Sequence, residues 1–203
     1  MTWKKENRKL LYGVGLNDAD YPVQIMRVND EGKTERISTC PYYSRWYDIL
    51  RRCYNKKSLR KRPTYEECYI SEEWKTFSNF KEWMEKQEWE GKQLDKDLII
   101  KDNREYSAET CIFVSGAVNT FISKAKRSKN GLLVGVSWHK RDKVFTAQCH
   151  DIILGKLVHL GYHDTEEEAH QAYLRYKKGL IPKMLEKGLI TELEYTLITK
   201  WFI

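Results

Sequence analysis

"GVSWHKRDKVFTAQCHDIILGKLVHLGYHDTEEEAHQAY", residues 135–173, decides the fold of the C-terminal part of the chain. Three of its segments, GVSWHK, VFTAQCH and KLVHLGY, alternate in period two, which predicts short strands. The next segment, DTEEEAHQAYLRYKKG, has the pattern of an amphipathic helix with a Thr165/Glu168 capping box, and Gly179 is its predicted C-terminal stop. We therefore predict a three-stranded antiparallel sheet packed on one helix.

The alternation also predicts which side chains face away from the helix. The side chains predicted to face the helix are Val136, Trp138, Phe145, Ala147, Cys149, Val158 and Leu160. Those predicted to face outward are Ser137, His139, Arg141, Thr146, Gln148, His150, Leu157 and His159. This outer face is polar, and Arg and Gln side chains bind guanine and adenine edges, whereas His contacts phosphate or base. The alternative is a solvated sheet face with no ligand.

Several motifs in this stretch carry a family resemblance. They are Gly135-Val136, the strand with Phe145, Ala147 and Cys149, the sequence HLGY at 159–162, and the helix EEAHQAY at 167–173. Together they resemble the Apetala/ethylene-response-factor (ERF) DNA-binding domain, in the compact version of phage and mobile-element proteins. The resemblance implies a sheet that lies in the DNA major groove. The implied DNA contacts are Ser137, His139, Arg141, Gln148, His150 and His159.

The sequence departs from the plant domains at positions that commonly carry a DNA-contacting Arg. Ser137, His139, His150 and Leu157 stand there instead. This departure implies modest affinity from this domain alone, so that phosphate contacts are expected elsewhere in the chain.

Basic residues are concentrated in the first part of the chain. The net charge is +7, from 36 Lys and Arg against 29 Asp and Glu, and the densest run is RRCYNKKSLRKRP at 51–63. Such a run is either a solvated loop or a phosphate-binding patch, whose affinity comes from counterion release. A nucleic acid is therefore the partner that the charge favours, and the ERF-type resemblance makes double-stranded DNA the predicted partner. The candidate phosphate-binding residues are Arg51, Arg52, Lys56, Lys57, Arg60, Lys61 and Arg62.

Outward from these two regions, the pattern divides the chain into five parts. We predict a hairpin arm at 1–40, an aromatic-rich module at 41–123, a basic linker at 124–130, the sheet domain at 131–180 and a final helix at 181–203. Within the module, one helix begins near Tyr43, and a second has Trp74, Phe77, Phe80 and Met84 on its core side. Residues 94–122 then predict strand, turn, strand and helix, a ββα unit. The overall fold class is α+β.

A second resemblance covers about residues 12–124. The segments YGVGLNDADYPV, CPYYSRWYDILRRCYN, YISEEWKTFSNFKEW, LDKDLI and YSAETCIFV are similar to the phage-encoded HNH proteins, of the ββα-metal or His-Me finger class. The resemblance implies that Asp95 binds the metal and that Asn119 is the helix ligand. Lys96 stands in place of the catalytic His, and Thr110 replaces the middle Asn. The first strand is predicted over LDKDLII at 94–100, so Asp97 should share a face with Asp95 and assist it. Magnesium is the implied cofactor, because hard cations prefer oxygen ligands.

The absence of histidine limits this second resemblance. All five histidines lie at or after residue 139, so the nuclease-like module has none. Lys96 as a general base requires burial or a nearby cation to lower its pKa from the ordinary value of about 10.4. The LDKD segment therefore predicts either a variant active site or an inactive one kept for its fold.

Cysteine spacing and apolar runs exclude other classes. Cys40, Cys53, Cys68, Cys111 and Cys149 form no CxxC pair, so we expect reduced core cysteines, with zinc on Cys53, Cys68 and Cys111 as a minor alternative. The longest apolar runs are far shorter than the ~20 residues that cross a bilayer, and there is no secretory signal. A soluble protein of the host cytoplasm with no membrane partner is predicted.

These observations predict a phage or mobile-element DNA-binding protein that resembles an HNH homing endonuclease and hydrolyses double-stranded DNA with one divalent ion. Two alternatives remain open. One is a catalytically inactive, sequence-specific DNA-binding factor. The other is a phage inhibitor of a host defence protein, with the aromatic-rich module as its protein-binding surface.

Overall fold

The computed structural model of the protein describes residues 9–122 and 131–202. The fold is α+β, which confirms the predicted class. The chain divides into two compact units, Met1–Phe113 and Val114–Ile203. The predicted basic linker at 124–130 lies outside the described residues.

The first unit combines three helices with short strands. Its elements are β1 (Gln24–Val28), β2 (Thr34–Thr39), α1 (Pro41–Tyr54), α2 (Lys56–Lys61), β3 (Tyr69–Ile70), α3 (Phe77–Glu85), β4 (Gln93–Asp95), β5 (Glu105–Tyr106) and β6 (Ile112–Val114). Strands β1 and β2 form an antiparallel hairpin, as predicted for the N-terminal arm. Strand β3 pairs with β5 in parallel, and β4 pairs with β6.

An aromatic core connects α1 and α3. Trp46 and Leu50 on α1 are fully buried, and the indole Nε1 of Trp46 donates to the backbone oxygen of Trp74 at 2.6 Å. Trp74, Phe77, Phe80 and Met84 are all buried, which confirms their assignment to the core. Phe77, Phe80 and Met84 lie on one side of α3, whereas Trp74 lies in a short 3₁₀ turn before it, so the predicted helix begins only at Phe77. Burial of rings this large contributes much of a small domain's stability.

Strand β4 is shorter than predicted. The sequence predicts a strand from 94 to 100, whereas β4 ends at Asp95. The Asp95 carboxylate accepts hydrogen bonds from the backbone N–H groups of Asp97 and Leu98 at 2.8 and 2.7 Å. This local bond replaces the sheet ladder and turns the chain. The prediction that Asp97 continues the strand and shares a face with Asp95 is therefore wrong.

The second unit contains a three-stranded sheet and three helices. Its elements are α4 (Gly116–Phe121), β7 (Val136–His139), β8 (Val144–Asp151), β9 (Lys156–His163), α5 (Glu166–Glu186) and α6 (Glu192–Trp201). The sheet is antiparallel with the order β7-β8-β9, so the three predicted strands are present. Both predicted capping boxes, at Thr165/Glu168 and Thr191/Glu194, are also present.

Helix α5 covers one face of this sheet closely. Val136 and Ala147 of the sheet and Ala169 of the helix form a buried cluster. Gly135 has φ +85°, and a Cβ atom there would lie 2.2 Å from Cγ of Tyr173, so only glycine fits against the helix. Trp138 lies on the same face as its cross-strand partner Phe145, as predicted, but it is not buried there. It lies on the edge strand β7, is 45% exposed, and contacts Phe145 with ring centroids 4.8 Å apart.

The end of α5 also differs from the prediction. Gly179 lies inside the helix, which continues through Pro182 to Glu186 and is followed by Gly188 at φ +65°. Leu180, Ile181 and Met184 are buried, and their packing favours continuation over termination at glycine. Neither α5 nor any other helix within 9–122 and 131–202 is both long and apolar enough to cross a membrane.

Candidate nucleic-acid interface

The sheet face opposite α5 brings most of the predicted contact residues together. Ser137 and Thr146 are cross-strand partners whose hydroxyl oxygens lie 2.7 Å apart. Gln148 faces His159 across β8 and β9, and His150 faces Leu157. Five predicted residues, Ser137, His139, Gln148, His150 and His159, therefore lie on one surface, which we call the outer face. Thr146 lies there too, but it is buried under its neighbours.

Arg141 lies at the edge of this face rather than on a strand. It occupies the turn between β7 and β8, and its Nε donates to Oδ1 of Asp142 at 2.8 Å. The same carboxylate lies 3.2 Å from Nδ1 of His139. The sequence prediction that Arg141 lies on the outer face assumed that β7 continues to this residue, whereas the strand ends at His139. The guanidinium is exposed but forms an ion pair with Asp142 at the turn.

Acidic side chains are scarce on the outer face. Between Val136 and His163 the sequence has two acidic residues, Asp142 and Asp151, and four Lys or Arg. Asp151 is buried and accepts from the hydroxyl of Tyr176 on α5 at 2.7 Å, so it faces the helix. Of the two acidic residues between Val136 and His163, therefore, only Asp142 lies near the outer face, at the β7–β8 turn. A polar face with few carboxylates favours an anionic or polar ligand.

Tyr162 is a member of the outer face that the alternation rule missed. Thr146 pairs with Tyr162 and Gln148 pairs with His159, so two steps of β8 face three steps of β9. The extra residue is a β-bulge, and Gly161 at φ +110° adopts a conformation that other residues rarely accept. The bulge turns Tyr162 outward. A glycine inside a strand pattern is the sequence signal for such a bulge.

The basic run of the first unit forms an exposed helix rather than a loop. Asn55 caps α2 by accepting from the backbone N–H of Ser58 at 2.9 Å. The exposed bases of this helix and the residue after it, which we call the α2 basic patch, are Lys56, Lys57, Arg60, Lys61 and Arg62. None of the five forms an ion pair with a carboxylate of the described residues. Five cations on one short segment, without a carboxylate partner in the described ranges, are therefore candidates for phosphate binding.

Two further bases predicted to join this patch are engaged elsewhere. Arg51 forms an ion pair with Asp48 at 2.8 Å. The guanidinium of Arg52 is half-buried and lies 5.9 Å from the ring centroid of Tyr65, and the nearby Tyr106 is among the groups that raise its pKa. Arg52 therefore supports the first unit's interior rather than the exposed patch.

The predicted catalytic groups of the LDKD segment hold a loop. Lys96 donates from Nζ to Oδ1 of Asp97 at 2.9 Å and to the backbone oxygen of Asn103, and only 11% of its side chain is exposed. Burial raises the pKa of Asp95 above its ordinary value, against the opposing effect of the two backbone N–H donors from Asp97 and Leu98. Both side chains thus have structural partners.

Asn103 completes this loop and was not singled out from the sequence. Its amide nitrogen donates to the backbone oxygens of Lys96 and Glu105 at 2.8 and 2.5 Å, and its Oδ1 accepts from the backbone N–H of Glu105 at 3.1 Å. Thr110, which stands at the position of the family's middle Asn, donates to the same Glu105 oxygen at 2.8 Å. The only sequence signal for Asn103 is its place in a polar turn, which many surface asparagines share.

The predicted metal ligands lie on β4, in the turn after it and on α4. Asp95 and Asp97 lie in the first unit, and Asn119 lies on α4 in the second. Within the described ranges, no group of three or more His, Cys, Asp or Glu side chains is arranged to hold a metal ion. Burial raises the pKa of Cys53 and of Cys111 to about 12, which keeps both as thiols. Within the described ranges, none of the five cysteines forms a disulfide bond.

Comparison with known proteins gives no functional assignment for the outer face or for the α2 basic patch. No protein-family model, curated protein or solved structure matches the chain.

Proposed function

We propose that this protein is a catalytically inactive DNA-binding factor that binds duplex DNA through the outer face of the β7–β9 sheet and through the α2 basic patch. The observation that carries the proposal is the outer face itself. It gathers Gln148, His150 and His159 on a rigid sheet, while Asp151, one of the two acidic residues in that stretch, faces α5.

The chemistry of the outer face suits a duplex groove. A sheet or ribbon fits the major groove of B-DNA, where each base pair displays a distinct set of donors and acceptors. The amide of Gln148 offers a donor and an acceptor side by side, the pattern that pairs with adenine N7 and N6. The resemblance of residues 135–173 to the ERF-type domain supports the same assignment.

The α2 basic patch suits the phosphate backbone. Its cations have no carboxylate partner in the described part of the chain, so binding to phosphate breaks no ion pair. Each phosphate that a Lys or Arg neutralises releases condensed counterions, which gives affinity without sequence preference. This affinity for phosphate offsets the shortage of arginine on the outer face.

The LDKD loop supports the inactive alternative over the endonuclease. Lys96 donates to Asp97 and to the backbone of Asn103, and Asp95 accepts two backbone N–H groups. A general base needs a free lone pair beside its substrate, and a Mg²⁺ site needs oxygen ligands that converge on the ion. These residues fit a loop-holding role better than either requirement, so magnesium and hydrolysis stay predictions.

A single substitution on the outer face tests the proposal. The test uses a duplex site selected by the wild-type protein from random sequences. Replacing Gln148 by Ala removes a base-edge partner, and we expect the preference for the correct base at one position of this site to fall by about 1–3 kcal/mol. Competition binding against sites with single base changes measures this value. Gln171→Ala, at an exposed glutamine on α5, is the matched control. Equal discrimination by both variants contradicts the proposal.

A second candidate function, binding to a host protein, is favoured by one observation. The β1–β2 hairpin exposes Ile25, Met26, Val28 and Ile37. Exposed apolar patches mark protein interfaces. If the wild-type protein has no salt-sensitive affinity for duplex DNA, this candidate is the better one. If duplex affinity is present and unchanged in Val28→Ser with Ile37→Ser, the DNA-binding function stands without the hairpin.

A further inference from the structure

Three rings form a compact cluster in the outer face. The ring of Tyr162 lies between two imidazoles, with its centroid 5.7 Å from that of His139 and 4.9 Å from that of His159. Both contacts are edge-to-face, at interplanar angles of 69° and 63°. Edge-to-face packing on two sides restricts the orientation of the central ring. The cluster therefore presents Tyr162 in a defined position.

The backbone supports this position. The bulge at Gly161 places Tyr162 opposite Thr146, whose hydroxyl is held by Ser137 on the neighbouring strand. Tyr162 is nevertheless 58% exposed. An apolar ring held this firmly and left open to solvent, among side chains that are otherwise polar, is suited to an apolar contact with a ligand.

We propose that Tyr162 is a specificity-determining residue that contacts the C5-methyl group of a thymine in the major groove. This inference rests on the proposed function of the outer face. The thymine methyl is the one apolar group that an unmodified base pair displays in the major groove. It lies beside the O4 acceptor, to which the phenol hydroxyl or a flanking imidazole N–H donates. The phenol ring of Tyr162 suits the thymine methyl group, and its hydrogen-bonding neighbours suit the O4 acceptor.

The experiment uses a duplex site selected by the wild-type full-length chain from random sequences. Each thymine of the site is replaced in turn by deoxyuridine, which removes only the methyl group. We expect the wild type to lose affinity by about four-fold at one position, the effect of removing one buried methyl group. Tyr162→Ala should bind the thymine and uracil versions of that position equally. Tyr162→Phe, which keeps the ring, should retain the four-fold difference.

Leu154→Ala is the matched control, because Leu154 has the same exposed fraction as Tyr162, 58%, but lies in the β8–β9 turn outside the outer face. This variant should retain the methyl discrimination. A methyl effect that persists in Tyr162→Ala overturns the inference, as does a selected site at which deoxyuridine never matters. In both cases duplex binding itself is intact, so the proposed function survives. If the wild type selects no duplex site, the proposed function and the inference fail together.

Discussion

The carboxylate of Asp95 shows how a nuclease-like spacing of residues differs from a nuclease-like site. Asp95, the residue that the family resemblance assigns to a metal, accepts hydrogen bonds at Oδ1 from the N–H groups of Asp97 and Leu98. Aspartate makes this local bond readily, wherever it ends a strand. The sequence motif is therefore satisfied by a structural role alone.

Substitution of Asp95 tests this role by its effect on stability. Asp95→Ala leaves two backbone N–H groups without their acceptor, and we expect the free energy of unfolding to fall by about 1–3 kcal/mol. Asp95→Asn retains an oxygen at the same position and should be destabilised much less. Urea unfolding of the two variants measures the difference. Equal destabilisation contradicts the capping role.

The pH dependence of these variants gives an independent check. Because burial raises the pKa of Asp95, the folded protein binds a proton where the unfolded chain has released it. The contribution of this group to stability is present below the unfolded pKa and is lost as the pH rises through the folded value. Asp95→Asn has no such loss. We expect its stability relative to wild type to increase as the pH rises above the ordinary aspartate pKa of about 4. A constant difference contradicts the raised pKa.

Single residues could be predicted from sequence only where the alternation is regular. Ser137, Gln148, His150 and His159 lie on the outer face as the period of two predicts. Tyr162 could not be placed this way, because one extra residue in β9 reverses the alternation. Its position depends on the backbone conformation of Gly161, which the sequence permits but does not require.

Among the elements, α5 shows where helix prediction fails. Its start was predictable because Thr165 and Glu168 form a local capping box that needs no tertiary partner. Its end was not, because Gly179 and Pro182 disfavour a helix while the buried Leu180 and Ile181 stabilise one. Tertiary burial prevails over local propensity here.

Substitution of Gly179 tests whether α5 ends at Gly179, as the sequence predicts, or continues to Glu186. A Cβ atom at Gly179 meets no atom within 4 Å, so Gly179→Ala should stabilise the second unit by about 0.5–1 kcal/mol through higher helix propensity. Gly188 has φ +65° and equal space, so Gly188→Ala should destabilise it by a similar amount. Thermal unfolding of both variants measures these changes. Destabilisation by Gly179→Ala contradicts the long helix.

The α2 basic patch makes a second prediction at this scale. Replacing Lys57, Arg60 and Lys61 by Gln removes three unpaired cations, and we expect the salt dependence of duplex binding to flatten by about 0.9 in the logarithmic slope for each phosphate that is no longer neutralised. Binding measured at several salt concentrations gives the slope. Gln at Lys33, Lys86 and Lys187 changes net charge equally and is the control. Equal slopes in the two triple variants contradict the phosphate-binding assignment.

At the scale of the whole molecule, composition and periodicity were sufficient for the α+β class and for two separate sets of elements. Long periodic segments such as α1 and β8 were predictable because their apolar faces must be buried. The chemistry of the LDKD segment was not, because it depends on which hydrogen bonds form across a loop. Function therefore follows from the surfaces that the two units expose rather than from the motif alone.

A gel-shift measurement on a supercoiled plasmid, run with Mg²⁺ and with EDTA for wild type and Asp95→Ala, tests the central claim most directly because one gel reports both binding and nicking. The account predicts retarded, intact plasmid under both conditions, a retardation that weakens with salt, and the same result for the variant. Nicked circles that require Mg²⁺ and disappear with Asp95→Ala would show an active endonuclease. That result, or the absence of any retardation, would contradict the account.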